Sequence, residues 1–240
     1  MDMTRDALQY ITDLKKAEVI EINGESYTDR GVHRVGRALR AEPIKMSTLA
    51  GLLDYLKAGI DPMPDRMIVQ IASPTTVRVI SSLDLDRKRE ELATAEADIP
   101  RFDYGNYMGQ EKFIISLQAM FLDGGDRELL LRFAGTVKDE SIAEYGDNGI
   151  TQKATIKTGI STVGDAIVPN PVVLRPFRTF VEVGQPESRF IFRMRQGEGR
   201  GVECAVFEAD GGAWKNAAME NIKGYLQTEL KDFPQYTVIS

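Results

Sequence analysis

The chain has 240 residues, of which 42% are hydrophobic and 28% charged, a globular composition with enough length for a substantial core. A net charge of −6 argues against bulk attraction to nucleic acid or to an anionic membrane. One cysteine, Cys204, and one histidine, His33, exclude an internal disulfide and a zinc site rich in Cys or His, and any Ser-His-Asp triad or Cys-His pair would have to use His33.

Residues 4–17 predict a helix, with Thr4 as N-cap and Leu8, Ile11 and Leu14 on one stripe. Glu18–Ile22 and Glu25–Thr28 flank Asn23-Gly24, a pair that supplies the two positive-φ positions of a tight hairpin. The stretch from Gly31 to Pro43 has no clear period. A second helix is expected over 47–58, capped by Ser47, with Leu49, Leu52, Leu53 and Leu56 on one face and Gly59 and the Asp61–Pro64 run ending it. Met67–Ala72 and Val77–Leu83 alternate as strands of a second hairpin. Residues 84–100 read two ways. Asp84–Glu91 is almost all charge and Ala93, Ala95 and Ala97 alternate with polar residues, which fits an exposed helix or an edge strand reaching away from the body.

Helices are expected over 111–122 and 127–137, joined by Asp123–Asp126 as an antiparallel pair. Beyond Gly149 the pattern turns to strands, at 151–158, 172–183, 189–195 and 202–208, the last two joined by Gln196–Gly201. A closing helix over 213–230 carries Trp214, Ala218, Ile222, Tyr225 and Leu226 at helical spacing and is expected to pack on that sheet; Tyr236–Ile239 adds a short strand. The fold class is α+β, with helices and two hairpins in the N-terminal half and an antiparallel sheet plus a closing helix in the C-terminal half. One domain spans 1–240, with a sub-boundary near 138–150.

Arginines gather between 175 and 200 without a single lysine: Arg175, Arg178, Arg189, Arg193, Arg195 and Arg200. Alternation puts Arg189, Arg193 and Arg195 on one strand face, opposite Phe190, Phe192 and Met194. Arginine is the residue of choice for planar, bidentate grips on phosphate or carboxylate, so the face reads as an anion site or a subunit contact. It also reads as a solvated face paired with Glu182, Glu187, Glu198 and Glu203. Trp214 is either a core anchor or a platform for a stacked ligand. The glycines at 197, 199 and 201 lie between two strands and lack the Lys-Ser/Thr or GxGxxG ending of phosphate loops, which makes them a hairpin loop. His33 has no second His or Cys near it in sequence. Asp84, Asp86, Glu90 and Glu91 are interleaved with Arg87, Lys88 and Arg89 and read as self-paired surface charge rather than a cation site.

Glu21–Gly24, Phe113–Gln118, Pro169–Phe180, Gln185-Pro186 and Glu208–Trp214 together resemble a group of uncharacterised phage and prophage proteins, especially of Gram-positive hosts. More distantly, the chain resembles the YfdQ-like prophage proteins. The resemblance implies a phage-encoded accessory protein and transfers no catalytic residue. Residues 1–16 hold no apolar signal core and no stretch approaches the ~18 apolar residues of a membrane span, so the expected location is the bacterial cytoplasm.

The expected function is a non-enzymatic, homo-oligomeric binding protein. Arg178, Arg189, Arg193, Arg195 and Trp214 would take an anionic small molecule, such as a signalling nucleotide sequestered in counter-defence, with no metal and no cofactor. The alternative is an assembly or DNA-metabolism-associated interaction protein with no small-molecule ligand. A hydrolase built on two carboxylates is a third reading.

Overall fold

A computed structural model describes residues 4–14, 17–22, 25–28, 40–84, 87–136, 152–158, 162–168, 170–197 and 201–240. The chain divides into two compact units, Met1–Arg40 and Ala41–Ser240.

The first unit holds α1 (Arg5–Asp13) and the antiparallel hairpin of β1 (Val19–Ile22) and β2 (Glu25–Thr28). Thr4 caps α1 as expected, its hydroxyl accepting from the Ala7 N–H at 3.4 Å. The Ile22–Glu25 pairing leaves two residues for the turn, the loop length that the Asn23-Gly24 signal demands. His33 lies outside the described residues.

The second unit is built on two sheets, each with its own core. The first is a mixed five-stranded sheet whose strands are β3 (Ile44–Met46), β4 (Met67–Ser73), β5 (Thr76–Ser81), β6 (Glu91–Glu96) and β13 (Tyr236–Ile239), in the order β13-β4-β5-β6-β3. Only β5 runs against the others. Its register sets Val69 beside Val79 and Val79 beside Ala93, so a buried row crosses three strands on one face. Against that face pack α2 (Leu49–Ala58), through the four leucines the sequence singles out, and α5 (Ala213–Glu229), through Ile222 and Leu226. Thr48 rather than Ser47 caps α2: its hydroxyl accepts from the Gly51 N–H at 3.0 Å. Gly59 ends α2 in the left-handed conformation, at φ 58°, which glycine adopts without a Cβ clash.

The segment 84–100 is neither an exposed helix nor an outlying edge strand. In its charged start Asp84 accepts from the Lys88 N–H at 2.7 Å, and its alanine run is β6, an interior strand between β5 and β3. Ala93, Ala95 and Thr94 are all buried there. Small side chains on a central strand suppress the apolar signal that alternation normally gives. A second gap in the sequence reading is β3, whose three residues pair in parallel with β6.

The second sheet is antiparallel, in the order β10-β11-β12-β7, with β7 (Met108–Gly109), β10 (Val172–Leu174), β11 (Ser188–Gln196) and β12 (Val202–Glu208). On it lie α3 (Gln110–Met120) and α4 (Arg127–Thr136), with Phe113, Leu117, Leu130 and Phe133 meeting Phe190, Phe192 and Val206. A hairpin of β8 (Gln152–Thr158) and β9 (Thr162–Val168) precedes β10. The expected sub-boundary near 138–150 lies outside the described residues.

Two expectations for this half are corrected. The closing helix α5 buries Ile222 and Leu226 against the five-stranded sheet rather than this one. The strand expected over 172–183 stops at Leu174, because Arg175–Glu187 forms a loop held by its own side chains. The buried Gln185 carboxamide accepts from the N–H groups of Arg178 (2.9 Å) and Thr179 (3.2 Å) and donates to the Phe180 carbonyl at 2.9 Å. Through Phe180 and Val183 this loop reaches the core of the five-stranded sheet, while Phe177 donates to the Met120 carbonyl at the end of α3. The loop therefore bridges the two cores. No helix among the described residues is long and apolar enough to cross a membrane.

Candidate functional site

Alternation along β11 holds. Ser188, Phe190, Phe192 and Met194 are buried, while Arg189 and Arg195 are exposed and Ile191 and Arg193 half-buried. The arginines nevertheless do different work. Arg195 donates from Nε to Glu203 at 2.8 Å across the β11–β12 pair, and its guanidinium stacks on Tyr107 with 4.1 Å to the ring centroid. Arg193 turns back on the strand and donates to the Phe192 carbonyl at 3.0 Å. Glu187 lies 3.3 Å from Arg175, and Glu182 accepts from the Ala50 N–H in the first turn of α2. Arg189 makes no hydrogen bond or ion pair through its guanidinium among the described residues.

Arg178 sits on the other side of the sheet, 5% exposed. Its Nη1 meets Glu208 at 2.6 Å, and its Nη2 donates to the Ser188 hydroxyl. The guanidinium plane is packed against three rings, with 4.1 Å to the Trp214 centroid, 5.5 Å to Phe190 and 5.8 Å to Tyr104. Tyr104 in turn stacks on Phe190 at 5.6 Å. Burial draws the Arg178 pKa down, opposed by Tyr104, Glu208 and Asp210, and burial pushes the Tyr104 phenol up. Cys204, buried in the same core, has its thiol pushed up to about 12 by burial, which leaves it inert as a nucleophile.

A cavity of about 590 Å³ opens where β11 begins, β12 ends and α5 starts. Arg189, Asp210 and Trp214 line it, with Val173, Ala213 and Ala217 as apolar wall and Glu187 and Ser188 at its side. The first turn of α5 supplies Trp214, which lines the cavity and whose ring is packed against Arg178. Gly211 and Gly212 stand at φ 63° and 81°, left-handed positions that turn the chain from β12 into α5. Asp210 secures that turn by accepting from the Gly212 N–H at 3.0 Å. Burial works to raise the Asp210 pKa, but the Ser188 hydroxyl, the Gly212 N–H, the Arg178 charge and the Trp214 N–H together hold it below the usual carboxylate value. Asp210 is thus an anion at neutral pH.

Of the residues expected at a site, the cavity unites Arg189 and Trp214. Arg178 lies behind the indole, and Arg193 and Arg195 lie further along β11 on the outer face. Asp210 and Ser188 were not singled out in the sequence; the only signal for Asp210 is its place before Gly211-Gly212, where an Asx turn is favoured. Among the described residues there is no cluster of three or more His, Cys, Asp or Glu that could hold a metal ion.

The depressed Asp210 pKa carries a pH prediction. A carboxylate lowered in the folded state adds stability above its unfolded value of about 3.9, and that stability disappears as pH falls through the lower folded value. Asp210→Asn should therefore unfold at lower urea than the parent at pH 7, and the gap should close as pH falls through the lowered folded value. An unchanging gap across urea titrations from neutral to acid would show that the amide disturbs the turn by shape alone.

No family model, no curated protein and no solved structure matches the chain.

Proposed function

We propose that this chain is a non-enzymatic phage accessory protein of the bacterial cytoplasm, working as a homo-oligomer whose cavity at Arg189 and Trp214 sequesters an anionic small molecule. In a phage setting, the version of this reading is a signalling nucleotide captured in counter-defence. One observation carries the reading: a guanidinium that makes no hydrogen bond or ion pair among the described residues shares a cavity with the chain's only tryptophan. An arginine at a cavity wall offers a bidentate fork to phosphate, and an indole offers a surface to a flat ring. At about 590 Å³ the cavity falls in the range that holds cofactor-sized ligands. The Asp210 carboxylate on the cavity wall, which can only accept hydrogen bonds, suits the N–H edge of a base. The phage setting rests on the sequence resemblance.

Native mass spectrometry of protein purified from bacterial cytosol tests this. The expected spectrum has a retained adduct of nucleotide mass that dissociates on activation. A protein that emerges bare, and whose melting temperature no mononucleotide or cyclic dinucleotide raises, favours the assembly reading, for which Arg195, Tyr107, Phe207 and Ile191 on the outer face of the antiparallel sheet would be the contact surface.

A further inference from the structure

The unit Met1–Arg40 has no core of its own among its described residues. Leu8, Ile11 and Leu14 of the α1 stripe are 49%, 44% and 51% exposed. In the hairpin, Ile20 pairs with Tyr27 and Ile22 with Glu25, and directly paired residues share a face. Ile20, Ile22 and Tyr27 therefore lie together on one side, each more than half exposed, while Glu21, Ser26 and Thr28 take the other, with Val19 as its one apolar residue. Both elements are amphipathic, and both apolar faces are open.

We infer that these faces close on each other between two copies of the chain, the stripe of α1 from one copy covering the Ile20–Ile22–Tyr27 face of the other, and the reverse. Two dimensions agree. The nine residues of α1 extend ~14 Å and the four-residue strands of the hairpin ~13 Å, so one helix covers the hairpin from end to end. The six side chains together present on the order of 550 Å² of apolar surface per chain, and the two copies together ~1,100 Å², just past the ~1,000 Å² that a specific interface needs. The exchange is two-fold and self-complementary, which makes a closed dimer rather than a filament. This assigns the interface behind the oligomer proposed above, and stands independently of the ligand cavity.

Mixing two full-length variants, Leu8→Cys and Ile22→Cys, tests the arrangement, since Cys204 is buried and contributes little background. Mild oxidation of the mixture should give a disulfide-linked species of twice the 26.7 kDa chain mass. Ile11→Asp should place a charge in the contact and weaken dimerisation at least about a hundredfold in sedimentation velocity, with circular dichroism otherwise kept. The inference is overturned by a parent protein that sediments as a monomer at tens of micromolar. It is equally overturned by a dimer that Ile11→Asp leaves intact, or by a Leu8→Cys/Ile22→Cys double variant that links only within one chain.

Discussion

Arg178→Ala is expected to remove about 3 kcal/mol of stability, the largest single effect of any polar substitution in the 41–240 unit. The side chain is almost fully enclosed, and its removal strands several partners at once. Glu208 loses its ion pair at 2.6 Å, Ser188 loses its donor, and Trp214 loses the guanidinium plane at 4.1 Å. Glu208 is 45% exposed and can turn to water, which keeps the cost below that of a fully buried pair. Arg178→Lys should recover less than half of the loss, since an ammonium can satisfy Glu208 but cannot fork to Ser188 or lie flat on an indole. Urea unfolding followed by the single tryptophan measures both terms together, because Trp214 emission reports the stacking and the midpoint reports the stability. A loss under about 1 kcal/mol would mean that the rings alone hold this corner, and that Arg178 is an ornament upon them.

The same residue explains where reading the sequence succeeds and where it stops. Periodicity exposes elements whose faces differ strongly in polarity: the leucines of α2, the Met67–Val69–Ile71 alternation of β4, and the Phe190–Phe192–Met194 face of β11 are all buried as expected. It fails where the buried residues are small, as in β6, or where the pairing strand has three residues, as in β3. It also gives an incomplete account of arginines. Alternation states correctly that Arg189, Arg193 and Arg195 share a face, but a face is not a site. Whether an arginine is spent on a neighbour depends on the cross-strand register, which puts Glu203 opposite Arg195. For Arg178 it depends on the loop that ends β10, where Gln185 replaces the strand partner that periodicity assumed. No local pattern encodes either fact. The pairing of Arg189 with Trp214 is likewise tertiary: residues 25 apart in sequence meet because β12 returns alongside β11 and two left-handed glycines start α5 beside it.

The destination of α5 has a further consequence. Its first turn belongs to the cavity while Ile222 and Leu226 belong to the core of the five-stranded sheet, so one helix carries both. The loop through Arg178 does the same from the other side, with Arg178 behind Trp214 and Phe180 in that same core. A ligand held in the cavity is expected to stabilise the whole 41–240 unit by mass action rather than one corner of it.

Arg189→Ala should separate binding from folding. The side chain is exposed and makes no hydrogen bond or ion pair among the described residues, so the variant should melt within a degree or two of the parent. If its guanidinium grips the anionic group of the ligand, the loss of a charge-assisted pair costs about 1.5–3 kcal/mol, a fall in affinity of roughly tenfold to a hundredfold. Arg189→Lys should fall between, because a point charge attracts the anion but cannot chelate it. Arg193→Ala is the control: four residues further along β11 it stands ~13 Å away, outside the cavity, and binding should be unchanged. Trp214→Phe is preferred to alanine for the stacking wall, since alanine would also unseat Arg178 and confuse stability with affinity. The measurement is the shift in melting temperature with inorganic pyrophosphate, mononucleotides and cyclic dinucleotides, each at several concentrations, on the full-length chain. A shift that survives Arg189→Ala but vanishes with Arg193→Ala would move the anion site onto the outer sheet face. If neither substitution alters a shift seen with the parent, the arginines of this strand are solvated surface charge and the ligand binds elsewhere.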